Sequence, residues 1–228
     1  LINVWGADHH GYVPRLKAGL AALGYDPERL RVVLVQLVQL TRGGEPVRMG
    51  KRSGEFVSLT EVVEEVGIDA ARFFFLMRKS DSHLDFDLEL AKKESSENPV
   101  FYAQYAHARI ASIFEQAREK GAAALDREVK LETLGEPEEL GLIKRLLQFA
   151  ETVRESITEL EPHRVAFYLL ELAGELHRYY NRFRVITDDA ELTAARLFLL
   201  RNVQKVVACG LNLLGVNAPL KMAARAES

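Results

Sequence analysis

Nine residues, Pro46-Val47-Arg48-Met49-Gly50-Lys51-Arg52-Ser53-Gly54, hold three cations and two glycines between apolar runs. Glycine permits tight turns and close backbone approach to a ligand. Lysine and arginine carry charge and donors suited to phosphate oxygens. A loop of this composition suits a polyphosphate on which negative charge develops during a reaction. An ordinary charged surface hairpin has the same composition, so these residues alone leave both readings open.

A second candidate precedes it. Gly6-Ala7-Asp8-His9-His10-Gly11 follows directly on the apolar run Leu1 to Trp5. Open α/β sheets bind ligands at the carboxyl ends of their strands. At such an end Gly6 lets a nucleotide approach the backbone, and the Asp8 carboxylate suits ribose hydroxyls. His9 and His10 suit contact with a substrate. The plain alternative is a turn with Asp8 as a helix N-cap. A metal site at the His pair lacks a third ligand at metal spacing. Asp85 and Asp87, two apart, could share a strand face as a metal pair would; a solvated surface is the favoured reading, and no metal site is expected.

These groups need elements to position them. Leu1 to Trp5 reads as a buried strand. His10 to Leu23 has helical spacing, with Val13, Leu16, Leu20 and Leu23 on one side, and Gly24 stops it. Arg31 to Leu40 is a valine-rich second strand. Strand, helix and strand make a βαβ unit of a parallel sheet. Two strands are too few for a doubly wound sheet, and the chain opens in mid-strand without methionine. It therefore reads as part of a longer protein whose remaining strands lie upstream. Ser58 and Glu61 form a capping box. Gly67 ends that helix, and Asp69 is expected to cap the next, Ala70 to Arg78, whose Phe73, Phe74 and Phe75 read as core.

From Asn98-Pro99 onward the periodicity is helical throughout. The spacing predicts helices over Val100 to Lys120, Glu138 to Glu159, Pro162 to about Val185, and Leu192 to Leu214. Four helices with Gly and Pro between them predict an up-and-down bundle. His177 to Arg184 interleaves cations with aromatics, the pattern that contacts unpaired bases. A helix spreads these eight residues around its circumference. Arg178, Asn181 and Arg182 are the RNA candidates, and the remainder packs.

The chain has 228 residues, 48% hydrophobic and 28% charged, with net charge −3. It has no overall basic excess, though a local basic face is compatible with that value. No apolar run approaches the roughly 20 residues that span a bilayer. A single cysteine, Cys209, excludes an internal disulfide framework and a multi-cysteine zinc site. A reducing, cytoplasmic setting is expected.

Four stretches together resemble the later half of bacterial arginyl-tRNA synthetases. They are Val4 to Tyr12, Arg48 to Gly54, Val66 to Phe74, and His83 to Leu88. The helical half resembles the anticodon-binding domain shared by arginyl and cysteinyl synthetases, through Asn98 to Arg109, Glu161 to Arg164, and Cys209 to Val216. The resemblance implies an α/β fold (partial Rossmann) over residues 1–97, followed by an all-α helical bundle over 98–228. It implies that Arg48 to Arg52 is a degenerate KMSKS element, in which Met49 and Lys51 match. Lys51, assisted by Arg48 and Arg52, then stabilises charge on pyrophosphate. Gly6, Asp8, Met49 and Lys51 bind ATP, with Mg2+, and His9 lines the amino-acid pocket. Arg178, Asn181, Arg182 and Met222, in the C-terminal segment, contact tRNA(Arg). L-arginine is the implied amino acid and a monomer the expected state. The family's HIGH element is not among these residues. Two alternatives stay open: part of a cysteinyl enzyme, or a non-catalytic tRNA-binding protein.

Overall fold

Five strands and eight helices form among residues 1–47, 57–122 and 129–222, which this computed structural model describes. β1 (Ile2–Gly6) and β2 (Arg31–Val35) lie parallel, with Ile2 opposite Arg31 and Gly6 opposite Val35. α1 (Val13–Ala22) crosses between them, so the βαβ unit forms as the sequence predicts. The helix starts three residues later than expected. Ala7–Tyr12 takes a 3-10 turn, and Pro14 in the first turn of α1 needs no N–H partner. Tyr12 holds the N-cap position and no side chain caps the helix, so Asp8 is not its N-cap.

The valine-rich run does not form one strand. It divides after Val35, where the Gln36 N–H donates to the Ser80 carbonyl at 2.9 Å. β3 (Val38–Arg42) then enters a different sheet, between β4 (Glu45–Pro46), antiparallel, and β5 (Leu84–Asp87), parallel. Gly43 and Gly44 make the two-residue turn from β3 to β4, both at positive φ, 59° and 86°.

α2 (Leu59–Val66) carries the Ser58–Glu61 capping box read in the sequence. Gly67, at φ 84°, links it to α3 (Ile68–Leu76) and is itself the N-cap of α3. Asp69, expected as that cap, lies within the first turn, and its carboxylate instead accepts from Gln104 and Asn217. α4 (Leu88–Lys92) is capped by Asp87, which accepts from the Glu89 and Leu90 N–H groups.

The bundle follows: α5 (Pro99–Glu119), α6 (Pro137–Glu159), α7 (His163–Arg182) and α8 (Ala190–Leu213). Asn98 and Asp189 cap α5 and α8 through their side chains. α7 ends at Arg182, three residues short of the expected Val185, because Phe183 is extended. Cross-helix contacts fix the directions. Tyr168 on α7 donates to the Arg145 carbonyl on α6, while Arg196 near the start of α8 meets Glu139 near the start of α6. Arg201 on α8 lies over Phe114 on α5. The helices therefore alternate, with α5 parallel to α7. α7 and α8 cross where Gly210 faces Leu169; a Cβ there would lie 2.7 Å from the leucine Cδ2.

One apolar core runs from Leu40, Phe73 and Phe86 through Val100 and Ala103 to Leu172, Leu200 and Leu211. Phe74 meets Phe86 edge-on at 5.2 Å. The β1–β2 pair stands outside this core, and none of its strand residues is fully buried. The apolar side predicted for α1 is likewise open, with Leu23 exposed.

Candidate nucleotide and nucleic-acid sites

The first site is built at the carboxyl end of β1. Gly6 closes the strand, and the chain turns so sharply that Asp8 Oδ1 occupies the space a Cβ on residue 6 would need, 2.5 Å from it. The Asp8 carboxylate is 72% exposed. His9 Nε2 lies 3.7 Å from Asp8 Oδ2, and its ring is 6.0 Å from that of Tyr12. His10 turns away, with Nδ1 3.0 Å from the Ala7 carbonyl. Gly6, Asp8 and His9 thus share one strand end. The group there that suits a nucleoside is the exposed Asp8 carboxylate, for which the missing side chain of Gly6 leaves room.

Arg48, Met49, Lys51 and Arg52 lie outside the described residues. Val47 N–H donates to the Leu40 carbonyl at 2.9 Å on one side of them, and Ser58 caps α2 on the other.

Of the aspartate pair, Asp87 is engaged by backbone. Asp87 accepts from the N–H groups of Gly43, Gly44, Glu89 and Leu90, at 3.0–3.3 Å for all but Glu89, which is at 2.9 Å. Partial burial works against its charge, but those four donors outweigh it and hold its carboxyl below the ordinary value. Among the described residues no three His, Cys, Asp or Glu side chains cluster in a way that holds a metal ion.

The second site lies on the bundle. Arg178, Asn181 and Arg182 are exposed on α7, while Tyr179 of the same cluster is wholly buried. Arg182 is partly committed: it pairs with Glu138 on α6 and lies 5.4 Å over the Phe183 ring. Met222 ends a segment that runs along α5. Gln104 donates to the Asn217 carbonyl at 2.9 Å, His107 Nδ1 lies 2.8 Å from the Pro219 carbonyl, and Lys221 is 3.4 Å from Glu115.

Between these lies an aromatic ladder that the sequence reading missed. On α5, Phe101 stacks on Tyr105 at 6.0 Å with planes 8° apart. Tyr105 stacks on His177 of α7 at 5.7 Å, and Tyr102 is 4.8 Å from the same imidazole. Arg109 caps the ladder 3.9 Å above Tyr180, with its Nη1 3.3 Å from the Tyr105 hydroxyl. All six are half-buried, so ring edges and faces remain open to solvent. Burial first, then the Arg109 charge, pushes the His177 imidazole down to about 4. Its Nε2 is buried without a hydrogen-bond partner. The signal available in sequence was Tyr102, Tyr105 and Arg109 at helical spacing; the α7 partners, His177 and Tyr180, lay in the cluster of cations and aromatics but were assigned there to packing.

An α/β segment followed by an up-and-down helical bundle with an aromatic and cationic seam defines the class of protein: part of a parallel α/β fold joined to an all-helical module. The family model of the DALR anticodon binding domain matches residues 103–222, more than half of the chain, and the chain belongs to that family. Among its relatives, the arginine–tRNA ligase of Geobacter sp. (strain M21) is 59% identical over 97% of this chain, and that of Citrifermentans bemidjiense 58%. Each match covers 40% of the relative, so the chain spans about two-fifths of the length of these curated proteins. The crystal structure of a putative arginyl-tRNA synthetase from Campylobacter jejuni superposes with a TM-score of 0.85 at 34% identity, covering 97% of this chain and 47% of that one. The arginyl-tRNA synthetase of Thermus thermophilus superposes with a TM-score of 0.80 at 28% identity, covering 97% and 41%.

Proposed function

We propose that this chain is part of an arginine–tRNA ligase, which activates L-arginine with ATP and transfers it to tRNA(Arg). The observation that carries this reading is the 59% identity to such a ligase across 97% of the chain. ATP, bound with Mg2+, supplies the α-phosphate that the arginine carboxylate attacks. Asp8 accepts from the ribose hydroxyls, Gly6 beside the nucleotide leaves room for that carboxylate, and His9 borders the amino acid. Lys51, with Arg48 and Arg52, holds the charge that develops on pyrophosphate, and Met49 borders the nucleotide.

Residues 1–97 belong to the activation part and 98–228 to the anticodon part. The exposed Arg178 and Asn181, the partly paired Arg182, and Met222 flank the α5–α7 ladder, whose rings suit stacking against unpaired bases. No helix among the described residues is long and apolar enough to cross a membrane. A monomer working in the cytoplasm is part of the reading proposed here. Aminoacylation of tRNA by the whole enzyme with a panel of amino acids tests the reading. Arginine alone is expected to be charged. Charging with another amino acid, cysteine above all, overturns it.

A further inference from the structure

Residues 215–222 follow α8 without regular structure, yet side chains from both parts of the chain hold them. Gly215, at φ 69°, stands just beyond the helix end, where the left-handed region favours glycine. Its carbonyl accepts from Arg72 Nη1 of α3 at 2.6 Å. The Asn217 N–H and Nδ2 both donate to Asp69 Oδ1 of α3, at 3.3 and 3.2 Å. Gln104 of α5 bridges the two: its Nε2 donates to Asp69 Oδ2 and to the Asn217 carbonyl, at 2.9 Å each. His107, 6% exposed, donates from Nδ1 to the Pro219 carbonyl at 2.8 Å. Burying Leu214 and Val216 is enough to tether the segment. Directional bonds to its backbone also fix the path it takes. That path leads past the exposed Leu220 and Lys221 to Met222. Asp69 and Arg72 lie in residues 1–97, so the path is registered against the activation part as well as against the bundle.

We propose that Asp69 and Gln104 are positioning residues for tRNA recognition. Together they hold the segment after α8 where Met222 meets the anticodon end of the tRNA. This rests on the function proposed above. Neither residue is asked to touch RNA. Their effect passes through the segment, whose every residue to Met222 lies within the described structure.

The test uses the whole enzyme. Filter binding gives the Kd for tRNA(Arg) and for the same tRNA with its anticodon bases replaced. The variants are Gln104→Ala, Asp69→Asn, Met222→Ala, and Gln104→Ala combined with Met222→Ala; aminoacylation kcat, KM for tRNA, and Tm are measured alongside. Gln104→Ala is expected to weaken tRNA(Arg) binding by roughly 3- to 30-fold, the worth of one or two lost hydrogen bonds. KM for tRNA should rise with it while kcat stays within about twofold, the pattern of lost binding alone. Affinity for the altered tRNA should change little, so discrimination between the two shrinks. In the Met222→Ala background Gln104→Ala is expected to cost little further. Asp69→Asn, which keeps one acceptor and loses the other, falls between. Should Gln104→Ala not fold, Asp69→Asn and Asn217→Ala carry the same comparison. A merely structural role would lower Tm and weaken both tRNAs by the same factor, which overturns the proposal. Unchanged affinity for tRNA(Arg), or an equal loss with and without Met222, overturns it too. If the unsubstituted enzyme does not tell the two tRNAs apart, or Met222→Ala leaves tRNA binding intact, the proposed anticodon contact itself falls and takes this inference with it.

Discussion

Arg196 Nε and Glu139 Oε1 meet at 2.7 Å inside the bundle, with side chains 7% and 0% exposed. Arg196 also donates to the Arg184 carbonyl at 2.7 Å, so one guanidinium ties α6 and α8 to the end of α7. Removing one partner strands a buried charge. Arg196→Ala is expected to destabilise by about 3–5 kcal/mol, while replacing both residues with leucine costs far less. Urea unfolding of the two variants checks this; equal losses for the single and double variants would contradict it.

Gly67 joins α2 to α3 at φ 84° and ψ 153°, a region open essentially to glycine. An added Cβ would meet nothing within 4 Å. The cost of Gly67→Ala is therefore conformational, about 1–3 kcal/mol. A melt indistinguishable from that of the parent would show that the backbone relaxes there.

Stability against acid should carry the mark of His177. Its folded pKa, about 4, lies below the ordinary 6.5, so folding favours the neutral ring. The contribution is complete above pH 6.5 and is lost as pH falls towards 4. Glu65 acts in a lower window, because hydrogen bonds from Arg42 and then Lys92 lower it from 4.5 to about 2. Its share is present above pH 4.5 and fades towards pH 2. His177→Gln should flatten the urea midpoint between pH 6.5 and about 4.5. An unchanged slope there would refute the assignment to His177.

The seam on α5 and α7 separates two kinds of RNA contact. Tyr105→Ala should weaken tRNA binding by about 1–3 kcal/mol, the usual worth of a stacked base, at any salt concentration. Arg178→Ala should reduce the salt slope by about one. Arg182→Ala should do less, since Glu138 already engages it. Filter binding by the whole enzyme across a salt series distinguishes them, and wild-type affinity for Tyr105→Ala would remove the ladder from the interface.

Lys51→Ala is expected to slow arginine-dependent ATP–pyrophosphate exchange by roughly 10²–10³-fold, the cost of one donor to developing charge. A normal rate would assign that charge to other cations.

Local chemistry was legible without coordinates. The Ser58–Glu61 box, Gly67, Asn98-Pro99 and the bundle's apolar spacing depend on residues within a turn or two of one another, and they fold as their sequence predicts. Pairing across distance was not. Val33 and Val38 have the same strand propensity, yet β2 joins β1 while β3 joins β5, some 40 residues further along the chain. Asp69 reads as a cap and becomes an anchor for Asn217, a partner 148 residues away. The ladder joins Tyr105 to His177 only because α5 and α7 run parallel in the bundle. Propensity, caps and periodicity are properties of neighbours in sequence, so the sequence by itself determined the elements and the residue types able to meet phosphate and bases. Which side chains share a surface depends on how those elements bury their apolar faces together, and only the tertiary structure decided that.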